Sequence, residues 1–104
     1  MAIDRIASFR ALIAKAPQDP FPRYGLAMEF RSRGELEAAA AAFDELIAAF
    51  PDYVPSYLMA GGVAGKLGRA DSARALFERG IEVATARGDT HARGELQSAL
   101  AEVA

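Results

Sequence analysis

The chain has 104 residues, of which 52% are hydrophobic and 25% charged, a balance typical of a single globular domain and not of a disordered chain. The net charge of −2 provides no basic field that would attract a nucleic acid, and the absence of cysteine excludes disulfides and thiolate zinc sites. No apolar run is long enough to cross a bilayer, and charges interrupt the apolar residues near the start. We therefore expect a soluble, cytoplasmic protein with no nucleic-acid or membrane partner.

The first half of the chain predicts three helices, because apolar residues recur at helical spacing between prolines and glycines. The first helix covers 3–16 and ends at Pro17. The second covers 20–32, and Asp19 can cap its first turn, where proline is tolerated. The third covers 35–50 and is rich in alanine, the best helix former.

The second half predicts three more helices. The fourth covers 54–67 and is closed by Gly68, and the fifth begins at residue 70 or 71 and ends at about 87. A turn at 88–90 then breaks the chain and caps the last helix, 91–103. Its apolar side chains share one face, which is typical of a helix that shields the end of a core. No segment alternates between polar and apolar residues, so we expect no strands.

A repeat of 34 residues runs through these helices. Phenylalanine stands at positions 9, 43 and 77, isoleucine at 13, 47 and 81, and leucine at 12 and 46, all at the same interval. A period of this length is typical of stacked helix–turn–helix units. Each unit buries its apolar face only against its neighbours, so the stack is stabilised by those contacts and offers a surface for binding.

Other positions recur in a fixed order within the period. In the first full copy they are Arg23, Leu26, Ala27, Phe30, Gly34, Ala39, Phe43, Leu46 and Pro51. In the second they are Tyr57, Ala60, Gly61, Ala64, Gly68, Ala73, Phe77 and Gly80. This order resembles the tetratricopeptide repeat (TPR) family. Arg23 departs from the family pattern, Ala64 lacks the usual bulk, and Thr85 stands where the family has proline.

The resemblance implies an all-α fold, a right-handed superhelical stack of antiparallel helix pairs with about six helices, the last of them a capping helix. We expect one domain over 1–104. Its predicted parts are a half repeat (3–17), two full repeats (20–53 and 54–87) and the capping helix (89–103).

The resemblance also implies that the first helix of each repeat lines a concave groove. One face of the second helix and the equivalent face of the fourth should then look into it. The candidate binding residues on these faces are Tyr24, Met28, Arg31, Leu58, Gly62, Gly65 and Lys66. Tyrosine, methionine and leucine would form an adaptable apolar floor for a peptide or helix, with the two cations orienting an acidic segment. Alternatively, these side chains only thicken the core beneath the last helix.

Three glycines stand in the fourth helix, at Gly61, Gly62 and Gly65, although an interior glycine costs about 1 kcal/mol relative to alanine. Gly61 has a packing role in the repeat pattern. Gly62 and Gly65 have none, so either a partner backbone approaches them closely or the helix is simply loose.

The function that these patterns favour is a protein–protein interaction scaffold or adaptor that binds a peptide or helix of an unidentified partner. The alternative is a structural protein that self-associates as a homodimer. Some TPR proteins hold a partner's C-terminal carboxylate with lysine, arginine and asparagine, but Tyr24, Met28, Leu58 and Gly62 replace that set here. The sequence contains no nucleophile–base arrangement and no phosphate loop, and its single histidine, His91, has no partners at metal-ligand spacing. We therefore expect no enzyme activity, no cofactor and no metal.

Overall fold

A computed structural model describes residues 4–103. The six predicted helices are present, and residues 4–103 contain no strand. The observed helices are α1 (Arg5–Lys15), α2 (Pro20–Ser32), α3 (Leu36–Ala49), α4 (Pro55–Lys66), α5 (Ala70–Ala86) and α6 (Thr90–Glu102). The bounds of α2 are the predicted ones, and the ends of the other helices differ from the predicted ends by at most two residues. Residue 3 of the first predicted helix lies outside the described residues.

Aspartates cap three of these helices. The Oδ1 atom of Asp19 accepts a hydrogen bond from the backbone N–H of Phe21 at 3.0 Å, and that of Asp89 accepts from Ala92 at 3.0 Å. Asp4 caps α1 in the same way. Such a bond satisfies one of the N–H groups left without a partner in the first turn. The cap predicted at Asp19 is thus confirmed, and within the turn predicted at 88–90 the capping residue is Asp89.

Three helices end in the same turn. Gly34, Gly68 and Gly88 follow α2, α4 and α5 with φ values of 76°, 76° and 71°. In each turn, the N–H of the residue after the glycine binds the carbonyl five residues earlier, as in the 2.9 Å bond from Glu35 to Phe30. This is the Schellman arrangement, which needs a left-handed residue that glycine adopts without steric cost.

Each helix packs most extensively against a helix adjacent to it in the chain, and the contacts form two core clusters. The first surrounds Phe43 and Leu46 and joins α2, α3 and α4. The second surrounds Tyr57 and Phe77 and joins α4, α5 and α6. The hydroxyl of the buried Tyr57 donates to the carbonyl of Pro51. The stack measures 43 × 29 × 20 Å and is therefore elongated along one axis.

Small residues let the helices approach closely. A Cβ atom at Gly61 would lie 2.3 Å from Cε1 of Phe77, so only glycine fits beneath that ring. The packing role predicted for Gly61 is therefore confirmed. Gly25 has the same relationship to Phe9, at 2.3 Å, although Gly25 is not one of the recurring repeat positions.

Candidate partner-binding groove

Three cavities lie along the first helices of the repeats. The central cavity, of about 530 Å³, is bordered by α4, α5 and α6. The α2–α6 cavity, of about 330 Å³, lies between α2, α4 and α6. The N-terminal cavity, of about 720 Å³, lies between α1 and α2. Tyr24 lines the α2–α6 and N-terminal cavities, Leu58 lines the central and α2–α6 cavities, and Arg31 lines the central and N-terminal cavities. The three cavities are therefore neighbours, and the central and α2–α6 cavities, which share Leu58 of α4, are called the groove below.

The structure brings most of the predicted binding residues together. Arg31, Leu58, Gly62, Gly65 and Lys66 all line the central cavity. Tyr24 and Met28 do not line the central cavity. They line the N-terminal cavity, between α1 and α2.

Gly62 and Gly65 face open space. A Cβ atom built on either residue would meet no atom within 4 Å. No packing within the described chain therefore requires glycine at these positions. Their exposed backbone forms part of the wall of the central cavity, where a bound chain could approach α4 closely.

The ring of Tyr24 belongs to the core as well as to the groove. It contacts Phe43 and Tyr53 edge to face, with ring centroids 6.3 and 5.8 Å apart. Burial, and to a lesser degree the neighbouring Tyr53, raises the pKa of the Tyr24 phenol. Packing therefore fixes a ring that also lines two cavities.

The last helix forms one wall of the groove and leaves the cavities open. Leu96 is buried, and its Cδ2 atom would lie 3.0 Å from a Cβ at Gly80, so this side chain anchors α6 on α5. Glu102 and Val103, near the other end of α6, border the central cavity. The sequence could not decide whether α6 covers the groove.

The central cavity carries charges of both signs. The cations Arg31 of α2 and Lys66 of α4 and the carboxylate of Glu102 of α6 all line it. Neither cation forms an ion pair with another residue of the described chain. Two cations without a partner beside an apolar surface can receive an acidic group of a ligand.

Sequence reasoning missed the apolar lining of the N-terminal cavity. Phe9 and Leu12 were assigned to repeat packing, and Phe21 was not singled out. In the structure Leu12 is 47% exposed and Phe21 63% exposed. The signal that could have found them is the half repeat, because it begins with a second helix that has no first helix beside it among the described residues.

The described residues show no other chemical site. Nε2 of His91 lies 3.3 Å from Oε1 of Glu95, one turn away on α6, and both exposed side chains border the α2–α6 cavity. Within residues 4–103 no group of three or more His, Cys, Asp or Glu side chains could hold a metal ion. No helix in that range is both long and apolar enough to pass through a membrane.

The solved structures similar to this chain include TPR proteins and proteins with the same fold. The TPR domain protein of Salinibacter ruber is 39% identical, with a TM-score of 0.78 over 82% of this chain and 96% of that one. A Bordetella parapertussis protein is 22% identical, with a TM-score of 0.82 over 99% of this chain and 89% of that one. MamA is 20% identical, with a TM-score of 0.68 over 94% of this chain and 64% of that one. The last two likenesses show the fold alone.

No family model matches the sequence, and a search of curated proteins gives no match either. The Salinibacter structure nevertheless combines 39% identity with coverage of 82% of this chain and 96% of that one. The predicted right-handed superhelical stack of antiparallel helix pairs, with a C-terminal capping helix, is confirmed. This is a helical-repeat fold used for protein interaction, in a family that is generally not enzymatic. The chain belongs to the tetratricopeptide repeat family.

Proposed function

We propose that this protein is an interaction adaptor that binds a peptide or a helix of a partner protein in the groove along α2, α4 and α6. The observation that carries the proposal is the central cavity. It gathers Arg31, Leu58, Gly62, Gly65 and Lys66 around one open volume. A cytoplasmic location is part of this proposal and rests on the composition alone.

The proposed mechanism is rigid presentation of a preformed surface. Leu58 supplies apolar contact, and the bare backbone at Gly62 and Gly65 admits a close approach by the ligand backbone. Arg31 and Lys66 pair with an acidic residue of the ligand, while Glu102 disfavours a second acidic residue near α6. A preformed groove loses little conformational freedom when it binds, which favours affinity.

Selection from a library of displayed random peptides would test the proposal. We expect the selected peptides to contain an acidic residue close to a large apolar one. They should bind the Gly62→Leu/Gly65→Leu variant and the Lys66→Glu variant at least about tenfold more weakly, because each variant fills the cavity or reverses a charge. Arg10→Glu, an exposed charge reversal on α1 outside all three cavities, is the matched control. Peptides that bind the cavity variants as tightly as they bind the wild-type protein would contradict the proposal.

Self-association is the second candidate, and the exposed Leu12 and Phe21 side chains favour it. Sedimentation equilibrium over a range of protein concentrations separates the two functions. A tight dimer that buries Tyr24 and dissociates in the Leu12→Glu variant would support self-association. A monomer throughout the range would remove that candidate.

A further inference from the structure

The N-terminal cavity is a second apolar surface, independent of the proposed function of the central cavity. Its apolar lining includes Phe9 and Leu12 of α1 and Phe21 and Met28 of α2. Leu12 and Phe21 are the two large apolar side chains with high exposure in residues 4–103. α1 packs mainly on α2, and none of its residues is buried.

The repeat shows what shape of partner fits this cavity. Leu12 and Leu46 occupy the same repeat position, one period of 34 residues apart. Leu46 is 0% exposed and belongs to the cluster that contains Ala27 of α2. A first helix of its own repeat therefore covers Leu46, whereas no described helix covers Leu12. The cavity has the form of a position that a helix antiparallel to α1 would occupy, as α2 does beside α3.

The charges around the cavity select the chemistry of that helix. Arg5 and Arg31 line it, and Lys15 lies three positions after Leu12 on the same face of α1. Glu29, the carboxylate in the lining, is already engaged. Its Oε2 accepts from Nε of Arg33 at 2.9 Å, and its Oε1 lies 3.7 Å from Arg5. An incoming helix therefore meets a positive surface.

We infer that the N-terminal cavity binds an amphipathic helix of a partner protein, with apolar residues at positions i, i+3 and i+7 and acidic residues beside them. A second copy of this chain fits less well, because a symmetric contact would place the cations Arg5, Lys15 and Arg31 of each copy against those of the other. A concave cavity also suits a helix better than a flat anionic membrane.

The chain itself supplies the probe, since α2 is the helix that covers Leu46. Two labelled peptides would copy residues 19–34, and both would carry Arg23→Leu so that the apolar face is uncharged. One would also carry Arg31→Glu and Arg33→Glu. Fluorescence anisotropy with the full-length protein would measure their affinities.

We expect the acidic peptide to bind the full-length protein at least about tenfold more tightly than its basic counterpart at low salt, with the difference shrinking as salt is added. Leu12→Glu and, separately, Phe21→Ser in the protein should each weaken binding about tenfold or more, since each removes buried apolar contact. Gly62→Leu should leave binding unchanged. Circular dichroism would verify that each protein variant keeps its helices.

Four outcomes would overturn the inference. The first two are that the acidic peptide does not bind at millimolar concentration, or that both peptides bind with equal affinity. The third is that neither Leu12→Glu nor Phe21→Ser changes the affinity of the acidic peptide. The fourth is that Gly62→Leu abolishes binding, which would place the peptide in the central cavity. A dimer that Leu12→Glu dissociates would instead assign the surface to a second copy. Leu12-dependent binding to vesicles of anionic lipid would assign it to a membrane. Failure of the peptide selection on the central cavity would leave this inference intact.

Discussion

The ring of Phe77 lies directly over Gly61, with three ring carbons between 2.3 and 2.7 Å from the place where a Cβ would stand. The same relationship joins Phe9 to Gly25 at the other end of the stack. In both pairs a phenylalanine from a second helix of a repeat fills the space above a glycine of a first helix. These contacts fix how closely the helix axes approach.

Gly61→Ala should destabilise the protein. The added methyl group must displace a ring that is nearly buried, and overpacking of this kind costs about 1–3 kcal/mol. We expect this cost to exceed the gain of about 1 kcal/mol in helix propensity. Urea denaturation followed by circular dichroism would measure the change. A variant as stable as the wild type would show that the Phe77 ring moves freely.

Gly62→Ala and Gly65→Ala should have the opposite effect. Neither added methyl group meets an atom within 4 Å, so each substitution gains about 1 kcal/mol of helix propensity at no packing cost. The same denaturation experiment provides the measurement, with Gly61→Ala as the matched control on the same helix. A loss of stability in either variant would contradict the open space around these glycines.

Asp89→Ala should weaken the attachment of α6. It removes the hydrogen bond that Asp89 accepts from the N–H of Ala92, which is worth about 1 kcal/mol at a helix N-terminus. Asp89→Asn retains an acceptor at the same place and should stay close to the wild type. Thermal unfolding of the two variants would measure the difference, and equal losses in both would show that charge matters here and the cap does not.

Stability should fall in alkaline solution because of Tyr24. Burial raises the pKa of this phenol above its ordinary value of 10.0, so the folded state holds the proton more tightly than the unfolded state does. The stabilisation is complete below the unfolded pKa and is lost as the pH rises through the folded one. Tyr24→Phe should therefore flatten the decline in urea midpoint above pH of about 10. An unchanged slope would contradict this origin.

Tyr57 provides a contrast with Tyr24. Burial raises the pKa of its phenol too, but its hydroxyl also donates to the carbonyl of Pro51. Tyr57→Phe should flatten the alkaline decline and also lower stability at neutral pH by about 1 kcal/mol, the net value of a lost hydrogen bond. Unfolding curves at neutral and alkaline pH would separate the two effects. A variant with full stability at neutral pH would show that the bond contributes nothing.

The period of the sequence predicted the six helices and their stacking because it repeats the residues that make those contacts. It could not predict which contacts are completed. Leu12 and Leu46 look alike in the repeat, yet one is half exposed and the other fully buried. Burial depends on whether a neighbouring helix is present, and that is a property of the folded stack. For the same reason the position of α6, fixed by Leu96 against Gly80, emerged only from the structure.

The absence of buried residues in α1 has a consequence for the order in which the stack opens. In a linear array each helix pair is stabilised mainly by its neighbours, so an end helix can detach while the rest stays folded. Backbone amides of α1 should then exchange with deuterium far sooner than those of α4 and α5, whose side chains form the second core cluster. A partner helix bound between α1 and α2 would stabilise α1 against this local opening. Slower deuterium exchange in α1 would then indicate that the helix has bound.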